Sequence, residues 1–595
     1  MTQDDDLLGR AYDGRLMRRL LGFLRPYAGA VALALGAIVV GSLAALAQPW
    51  LMKQAIDLYI ATGRSDGLSQ LAVVYVTILL IAFGAEFVQT WTMQMAGQHV
   101  MRDMRLAMYR HLQRIDLRYY DTNPVGRVMT RVTSDVDAIN ELFTSGVVTI
   151  FGDVFTLLGI LAVMFWLHWR LALVACFVLP LIGVVTQWFR HHVRQSYRTV
   201  RGLIARINAF LQEHLTGMAT VQLFRREAED FRRFDALDRA HRDANVDSIF
   251  YYAVFYPAVE VVSALALALI IWNGAGWVRG GTLTLGTLAA FLQYSQRFFR
   301  PISDMSEKFN VLQAAMASSE RIFSLLDVPV RIASPDVPRT PTSPRGHIVF
   351  DHVWFAYGTS ETDGEPDWVL RGVAFEVQPG ERVGMVGATG SGKTTVINLL
   401  LRYYDVQRGA IRIDGVDIRE WDLTALRALF GLVLQDVQLF AGTIADNIRL
   451  GDPRISDQEV RAAADAVGAS GFIQALPGAF EARVAERGAT LSVGQKQLLS
   501  FARALACQPR CLLLDEATSS VDTETEAAIE DALTRVAAGR TTIAIAHRLA
   551  TIQRMDRILV LHRGELREQG THQALIARGG LYRTLYDLQY ASRAT

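Results

Sequence analysis

The sequence predicts two dissimilar parts: an all-α six-helix transmembrane domain with long cytoplasmic helical extensions, then an α/β domain around a largely parallel sheet. Three observations predict it. Long charge-free apolar runs are confined to the first 300 residues. The segment VPVRIASPDVPRTPTSPRG (328–346) holds five prolines and reads as a linker. Beyond it, short β-like runs alternate with helical stretches: HIVFDHVWFAY, ERVGMVG, AIRID, CLLLD, TTIAIAH and RILVLH. The resulting division is 1–327 transmembrane domain, 328–346 linker and 347–595 α/β domain.

The bulk properties agree. A chain of 595 residues is too long for one core. Hydrophobic residues make up 51%, and mean hydropathy is +0.20. A formal net charge of +1 supplies no bulk field for nucleic acid, so none is expected as a partner. The 3 cysteines cannot build a disulfide framework. Cys507 and Cys511 lack a nearby His or third Cys, so no metal pair is read there. The acidic start MTQDDD lacks the basic region of a signal peptide.

A membrane-crossing helix needs about 20 apolar residues. The runs place spans at about 26–52, 67–101, 142–167, 171–189, 248–278 and 280–296. Arginines concentrate in 97–140 and 190–242, whereas the links ATGRSDG (61–67), HWR (168–170) and RGG (279–281) carry one arginine each. By the positive-inside rule the long basic regions, both termini and the α/β domain face the cytoplasm, as in a multi-pass protein of the inner (cytoplasmic) membrane. The basic regions lack helix breakers, so the helices run on past the bilayer. DTNPVG (121–126) and LFRREAEDF (223–231) would turn the chain at two hairpin tips. Glu86, Asp153 and Glu260 are costly acids within or near the spans. Glu86 suits a leaflet edge or a pairing with the partner chain; Asp153 and Glu260 either face a cavity, favouring cationic amphiphiles, or sit near a leaflet edge or pair with a residue of the partner chain. The aromatic run FYYAVFY (250–256) either lines the cavity or packs against lipid, the second being the better fit.

GATGSGKTT (387–395) fits G-x-x-x-x-G-K-[ST], lying between a strand-like and a helix-like stretch as that motif requires. Gly387, Gly390, Ser391 and Gly392 let backbone N–H groups face phosphate, and the helix start adds positive potential. Lys393 suits the β- and γ-phosphates of ATP, Thr394 suits Mg²⁺, and Thr395 completes the cradle. CLLLDE (511–516) is an apolar strand ending in Asp515, placed for Mg²⁺, and Glu516, placed to polarise the attacking water. The domain is thus an α/β P-loop nucleotide-binding domain.

Over nearly its whole length the chain resembles a half of an ATP-binding cassette (ABC) exporter, with membrane and nucleotide domains fused. Tyr357 in FAYG resembles the aromatic that stacks on adenine. Gln435 in VLQD resembles the glutamine that contacts Mg²⁺ and the membrane hairpins. LSVGQ (491–495) resembles the family signature, SSVD ending in Asp522 its D-loop, IAHR with His547 its switch histidine, and RVAERG (483–488) its exporter loop. The resemblance implies head-to-tail cassettes, so Ser492, Gly494 and Gln495 would meet ATP held by a partner chain. It also implies a second half-transporter, membrane lipid and a small amphipathic substrate as partners, and ATP with Mg²⁺ as cofactors. Glu516 and His547 would be catalytic. Thr394, Gln435 and Asp515 would hold the metal.

One position departs from the pattern. Val493 stands where the signature usually has glycine. Its β-branch adds bulk and restricts the backbone. With the chain's own Walker motifs intact, this favours a heterodimer of a competent and a degenerate site over a homodimer. In that arrangement this chain is the subunit carrying the catalytic glutamate. The alternative within the family is a homodimeric lipid flippase that tolerates valine.

Overall fold

A computed structural model describes residues 13–358, 365–485, 488–515, 523–545 and 549–589. They form two compact units: residues up to Gln113 together with Val125–Val328, and Arg114–Pro124 together with the chain from Pro329 onward.

The first unit is helical throughout: α1 (Gly14–Leu24), α2 (Ala28–Gln54), α3 (Leu68–Leu112), α5 (Val125–Val132), α6 (Ser134–Glu141), α7 (Val148–Cys176), α8 (Leu179–Thr216), α9 (Met218–Leu223), α10 (Glu227–Arg279) and α11 (Leu285–Leu326), with α4 (Leu117–Thr122) assigned to the second unit. Among the described residues, four stretches are long and apolar enough to cross a membrane: Gly14–Ile60, Leu68–Leu112, Val125–Cys176 and Glu227–Arg279. The other two expected runs are shaped differently. The 171–189 run is divided by a turn at Phe177 and Val178, between α7 and α8. The 280–296 run is a turn followed by only the first part of α11, before Arg297.

Local chemistry sets the breaks. His168, in the expected HWR link, leaves helical geometry (φ −162°, ψ 97°), and its Nδ1 accepts from the Leu171 N–H at 3.2 Å. Thr284 caps α11, its side chain accepting from the Thr287 N–H. α2 contains Pro49 and is continued by a π-turn, Ala55–Ile60. Such turns and prolines are the usual causes of helix deformation.

Asp153 on α7 is ion-paired with Lys308 on α11. Its counter-charge thus comes from this chain and not from a residue of a partner chain, the pairing that the sequence suggested. Glu86 and Glu260 are exposed. Part of the aromatic run packs on α8 instead of on lipid: the Phe255 ring stacks on Phe189 at 4.0 Å, and Tyr251 lies 5.8 Å from Trp188.

The second unit has β1 (Ile348–Phe355), β2 (Leu370–Val377), β3 (Arg382–Val386), β4 (Arg408–Ile413), β5 (Val416–Asp417), β6 (Phe430–Val433), β7 (Gly442–Thr443), β8 (Arg483–Val484), β9 (Cys511–Asp515), β10 (Thr541–Ile545), β11 (Arg557–His562) and β12 (Glu565–Gly570). The main sheet runs β12-β11-β3-β10-β9-β6, parallel except at the β12 edge. The parallel expectation holds for this sheet. It fails for HIVFDHVWFAY and AIRID, which form β1 and β4 of a separate antiparallel sheet, β2-β1-β4-β5. Alternation explains the difference. β1 alternates buried and less buried residues, whereas the first four residues of CLLLD are all buried, as in a strand covered on both faces. Phe350 on β1 stacks on Phe375 on β2 at 4.4 Å within the core between the sheets.

Candidate functional site

Parallel register gathers the nucleotide residues at one edge. On β10, Ile545 is opposite Met385 of β3 and Asp515 of β9, and Leu514 of β9 is opposite Val433 of β6. The loop after β3, Asp515, and Gln435 just beyond β6 therefore emerge at the same C-terminal edge. That edge is where open α/β sheets bind ligands. Gln435 is exposed there.

The loop after β3 leads into the helix α12 (Lys393–Leu400). Gly390 (φ +80°) and Gly392 (φ +101°) adopt left-handed backbone, which glycine allows without steric cost. A Cβ at Gly387 would overlap the Leu561 carbonyl and lie 2.6 Å from Ser391 Oγ. Lys393 bends back over the loop, its Nζ donating to the carbonyls of Gly387 (2.8 Å) and Ala388 (3.1 Å). Burial pushes its amine below the usual lysine range, while the Asp515 charge pulls the other way. Ser391 Oγ is buried without a hydrogen-bond partner among the described residues. A buried hydroxyl, a lysine held by backbone carbonyls and a glycine cradle together fit a phosphate chain. Thr394 is exposed on the first turn of α12, and Thr395 is buried.

Tyr357 sits just after β1. Its hydroxyl lies 3.0 Å from Thr395 Oγ1, and Asn398 Nδ2 reaches it at 3.5 Å. Its ring is edge-on to Tyr404 at 5.2 Å. Tyr404 is buried, and its hydroxyl donates to Asp121 of α4. Burial, then that carboxylate, raises the Tyr404 phenol above its usual pKa. Sequence reasoning missed Tyr404 because Asp121 is 283 positions away. It did place a hairpin tip at 121–126, and α4 ends within that stretch, at Thr122. At the other tip, Phe224 and Phe231 are exposed in the first unit.

The signature opens the helix α13 (Val493–Ala506). Ser492 caps it: its Oγ accepts from the Gln495 N–H at 3.2 Å, and its own N–H donates to Gln495 Oε1 at 3.0 Å. Gly494 is buried beneath this turn. A capped helix start presents unpaired N–H groups and positive potential, which suits an anion. Val493 is the first helical residue, 56% exposed, and does not have positive φ. The expected backbone restriction is therefore absent, since valine enters this conformation without needing glycine's freedom. What remains is side-chain bulk on an exposed helix end.

Glu516, Asp522 and His547 lie outside the described residues, although Asp515 and Ile545 lead directly toward them. No cluster of three metal-ligand side chains occurs among the described residues. Cys511 is buried, which pushes its thiol up to about 12 and suits it to packing.

Known proteins agree with this architecture. Residues 31–302 match the ABC transporter transmembrane region, and 370–519 match the ABC transporter domain. An uncharacterized ABC transporter ATP-binding protein, YknV of Bacillus subtilis, is 37% identical over 99% of this chain and 97% of its own length. An ATP-dependent lipid A-core flippase of Thiobacillus denitrificans is 34% identical, over 97% of this chain and 98% of its own. The solved structure of a bacterial Atm1-family ABC exporter with ATP bound superposes with a TM-score of 0.76 at 30% identity, covering 97% of this chain and 99% of that one. With membrane helices, a P-loop edge and a capped signature helix in one polypeptide, the chain belongs to the ABC transporter family, as an exporter-type membrane ATPase.

Proposed function

We propose that this chain is the catalytic-glutamate half of a heterodimeric exporter that moves hydrophobic or amphipathic molecules out across the cytoplasmic membrane. The observation that carries the asymmetry is Val493. It places an exposed branched side chain on the helix start that would face a partner's ATP, while the chain's own phosphate loop is complete. The substrate class is supported by relatives named as a lipid A-core flippase (34% identical) and a probable multidrug resistance protein (37% identical over 88% of this chain). The asymmetry of arginines supports cytoplasmic termini and a cytoplasmic nucleotide domain.

In this reading, phosphates of ATP displace the Gly387 and Ala388 carbonyls from Lys393 and fill the glycine cradle. Tyr357 turns from Thr395 to stack on adenine. Thr394, Gln435 and Asp515 would hold Mg²⁺, which would supply positive charge on the phosphates. Glu516 orients the attacking water, and His547 and Asp522 complete the site. Ser492, Gly494 and Gln495 close over the partner's nucleotide. ATP drives the cycle because it favours the closed pair of cassettes.

A second reading, a homodimeric lipid flippase, is favoured by one observation: the helical backbone at Val493 imposes no requirement for glycine. Affinity purification of the tagged chain, expressed with its genomic neighbours, separates the two. A second cassette chain at one-to-one ratio supports the heterodimer. Glu516→Gln should then lower turnover at least 100-fold, about 3 kcal/mol on the barrier, and the partner's equivalent change should matter little. Recovery of this chain alone as a fully active dimer overturns the heterodimer.

A further inference from the structure

The second hairpin tip turns on a strained residue and a buried charge. Between α9 and α10, Arg225 adopts left-handed backbone (φ +52°), a conformation that residues with a Cβ avoid. Such a turn persists only where its surroundings hold it. The group that holds it is Asp230, in the first turn of α10 and 7% exposed. Its Oδ1 accepts from Arg226 Nη2 at a long 3.4 Å, and its Oδ2 is buried without a hydrogen-bond partner among the described residues. A buried carboxylate served this thinly is costly.

His214, near the end of α8, lies across from it. Its Nε2 is 3.6 Å from Asp230 Oδ1, just beyond hydrogen-bond reach. Its Nδ1 is 2.9 Å from the Phe210 carbonyl. A carbonyl only accepts, so Nδ1 carries the hydrogen in either charge state. The neutral ring then presents a bare Nε2 to the carboxylate, one acceptor facing another. One added proton turns Nε2 into a donor. The Phe210 ring stacks on the imidazole at 3.8 Å and fixes its plane. The other charged groups beside the ring are Glu213 on α8, Arg226 and Arg233 on α10; Arg233 is itself paired with Glu229 at 3.0 Å. The intervening α9 carries no titratable side chain. A cavity of about 550 Å³, lined by His214, Glu213 and both arginines, brings solvent protons to the ring.

We propose that His214 is a proton-operated brace of the second hairpin tip: the charged ring donates Nε2–H to Asp230 and ties α8 to α10, and the neutral ring lets them part. It is a positioning residue, acting through the hairpin and not on ATP. A tip tied on both sides yields less when it is pushed, so acid on its side of the membrane favours ATP turnover. That relay rests on the resemblance, in which the hairpins meet the nucleotide domains. The brace itself does not, and neither depends on the identity of the partner.

The test uses the full chain with its co-purifying partner in lipid nanodiscs. Hydrogen–deuterium exchange is followed in peptides over 218–231 at about pH 6 and about pH 8, across the range in which histidine side chains change charge, with labelling times scaled for intrinsic exchange. A bond to a charged group shifts an opening equilibrium about tenfold, so these peptides should be about tenfold better protected in acid. His214→Phe keeps a ring to stack on Phe210 but carries no proton, and should be poorly protected at both pH values. His214→Gln offers an amide N–H to Asp230 at both, and should be well protected at both. Protection independent of pH in the unaltered chain, or a pH difference that survives in His214→Phe, overturns the brace. Should His214→Phe misfold, Asp230→Asn removes the charged acceptor and should abolish the difference; its persistence overturns the brace equally. The relay is read separately, as the ratio of unaltered to His214→Gln ATP turnover, in which the shared pH dependence of hydrolysis cancels. That ratio should fall about threefold from the acid to the alkaline condition. A flat or rising ratio overturns the relay while leaving the exchange result to judge the brace.

Discussion

A methyl group at Gly387 would meet the Leu561 carbonyl of a neighbouring strand, and backbone cannot move aside as a flexible side chain can. Gly387→Ala should therefore distort the phosphate loop and weaken ATP binding at least tenfold, measured with a fluorescent nucleotide. Gly390→Ala meets open space but must hold φ +80°, so it should cost only about 1 kcal/mol in thermal unfolding. At the signature, Val493→Gly removes exposed bulk but adds a flexible residue at a helix start. Stability should fall by about 0.5–1 kcal/mol. If the valine impairs the partner-facing site, turnover should nevertheless rise several-fold. Equal turnover for valine and glycine would remove the basis for asymmetry.

At the scale of elements, the buried Tyr404 phenol ties α4 to the chain between α12 and β4. Tyr404 contacts the edge of the Tyr357 ring and donates to Asp121, so the expected adenine-stacking ring and the hairpin tip share one neighbour. Tyr404→Phe keeps the ring and leaves the Asp121 carboxylate without that donor, a loss of about 1–3 kcal/mol. ATP affinity should stay within about twofold, since the Tyr357 contact survives, while stimulation of turnover by transported substrate should drop. Lost ATP affinity with intact stimulation would contradict this division. The same pair shows what sequence reading reaches. The P-loop, CLLLD and the capped signature are local patterns, where glycine geometry, strand burial and capping act within a few residues. Tyr404–Asp121 and Asp153–Lys308 join distant segments, and nothing in either segment alone names its partner. The separate antiparallel sheet was missed for a related reason: β1 and β4 read as strands, but strand direction is set by pairing. The interruption of the 171–189 run could not be read in advance because apolarity is additive along a chain, whereas a turn such as that at Phe177 depends on packing.

At the scale of the whole molecule, the arrangement inferred for the cassettes makes a geometric demand. The phosphate loop of one chain must face the α13 start of the other. Thr389 is exposed in the loop, and Ser492 is exposed as the α13 cap. With exposed Cys507 replaced, Thr389→Cys and Ser492→Cys in the same chain become a counter of partners. In a homodimer, each loop cysteine faces the signature cysteine of an identical chain, so ATP should promote two disulfides and a covalent dimer of this chain. In a heterodimer, both cysteines face a different polypeptide, and no covalent dimer of this chain should form. Moving one cysteine into the partner, opposite Thr389→Cys, should then restore cross-linking. Non-reducing electrophoresis with and without ATP reads the result. A strong ATP-dependent dimer of this chain alone would assign Val493 to a symmetric machine, with two working sites and a signature that tolerates a branched side chain.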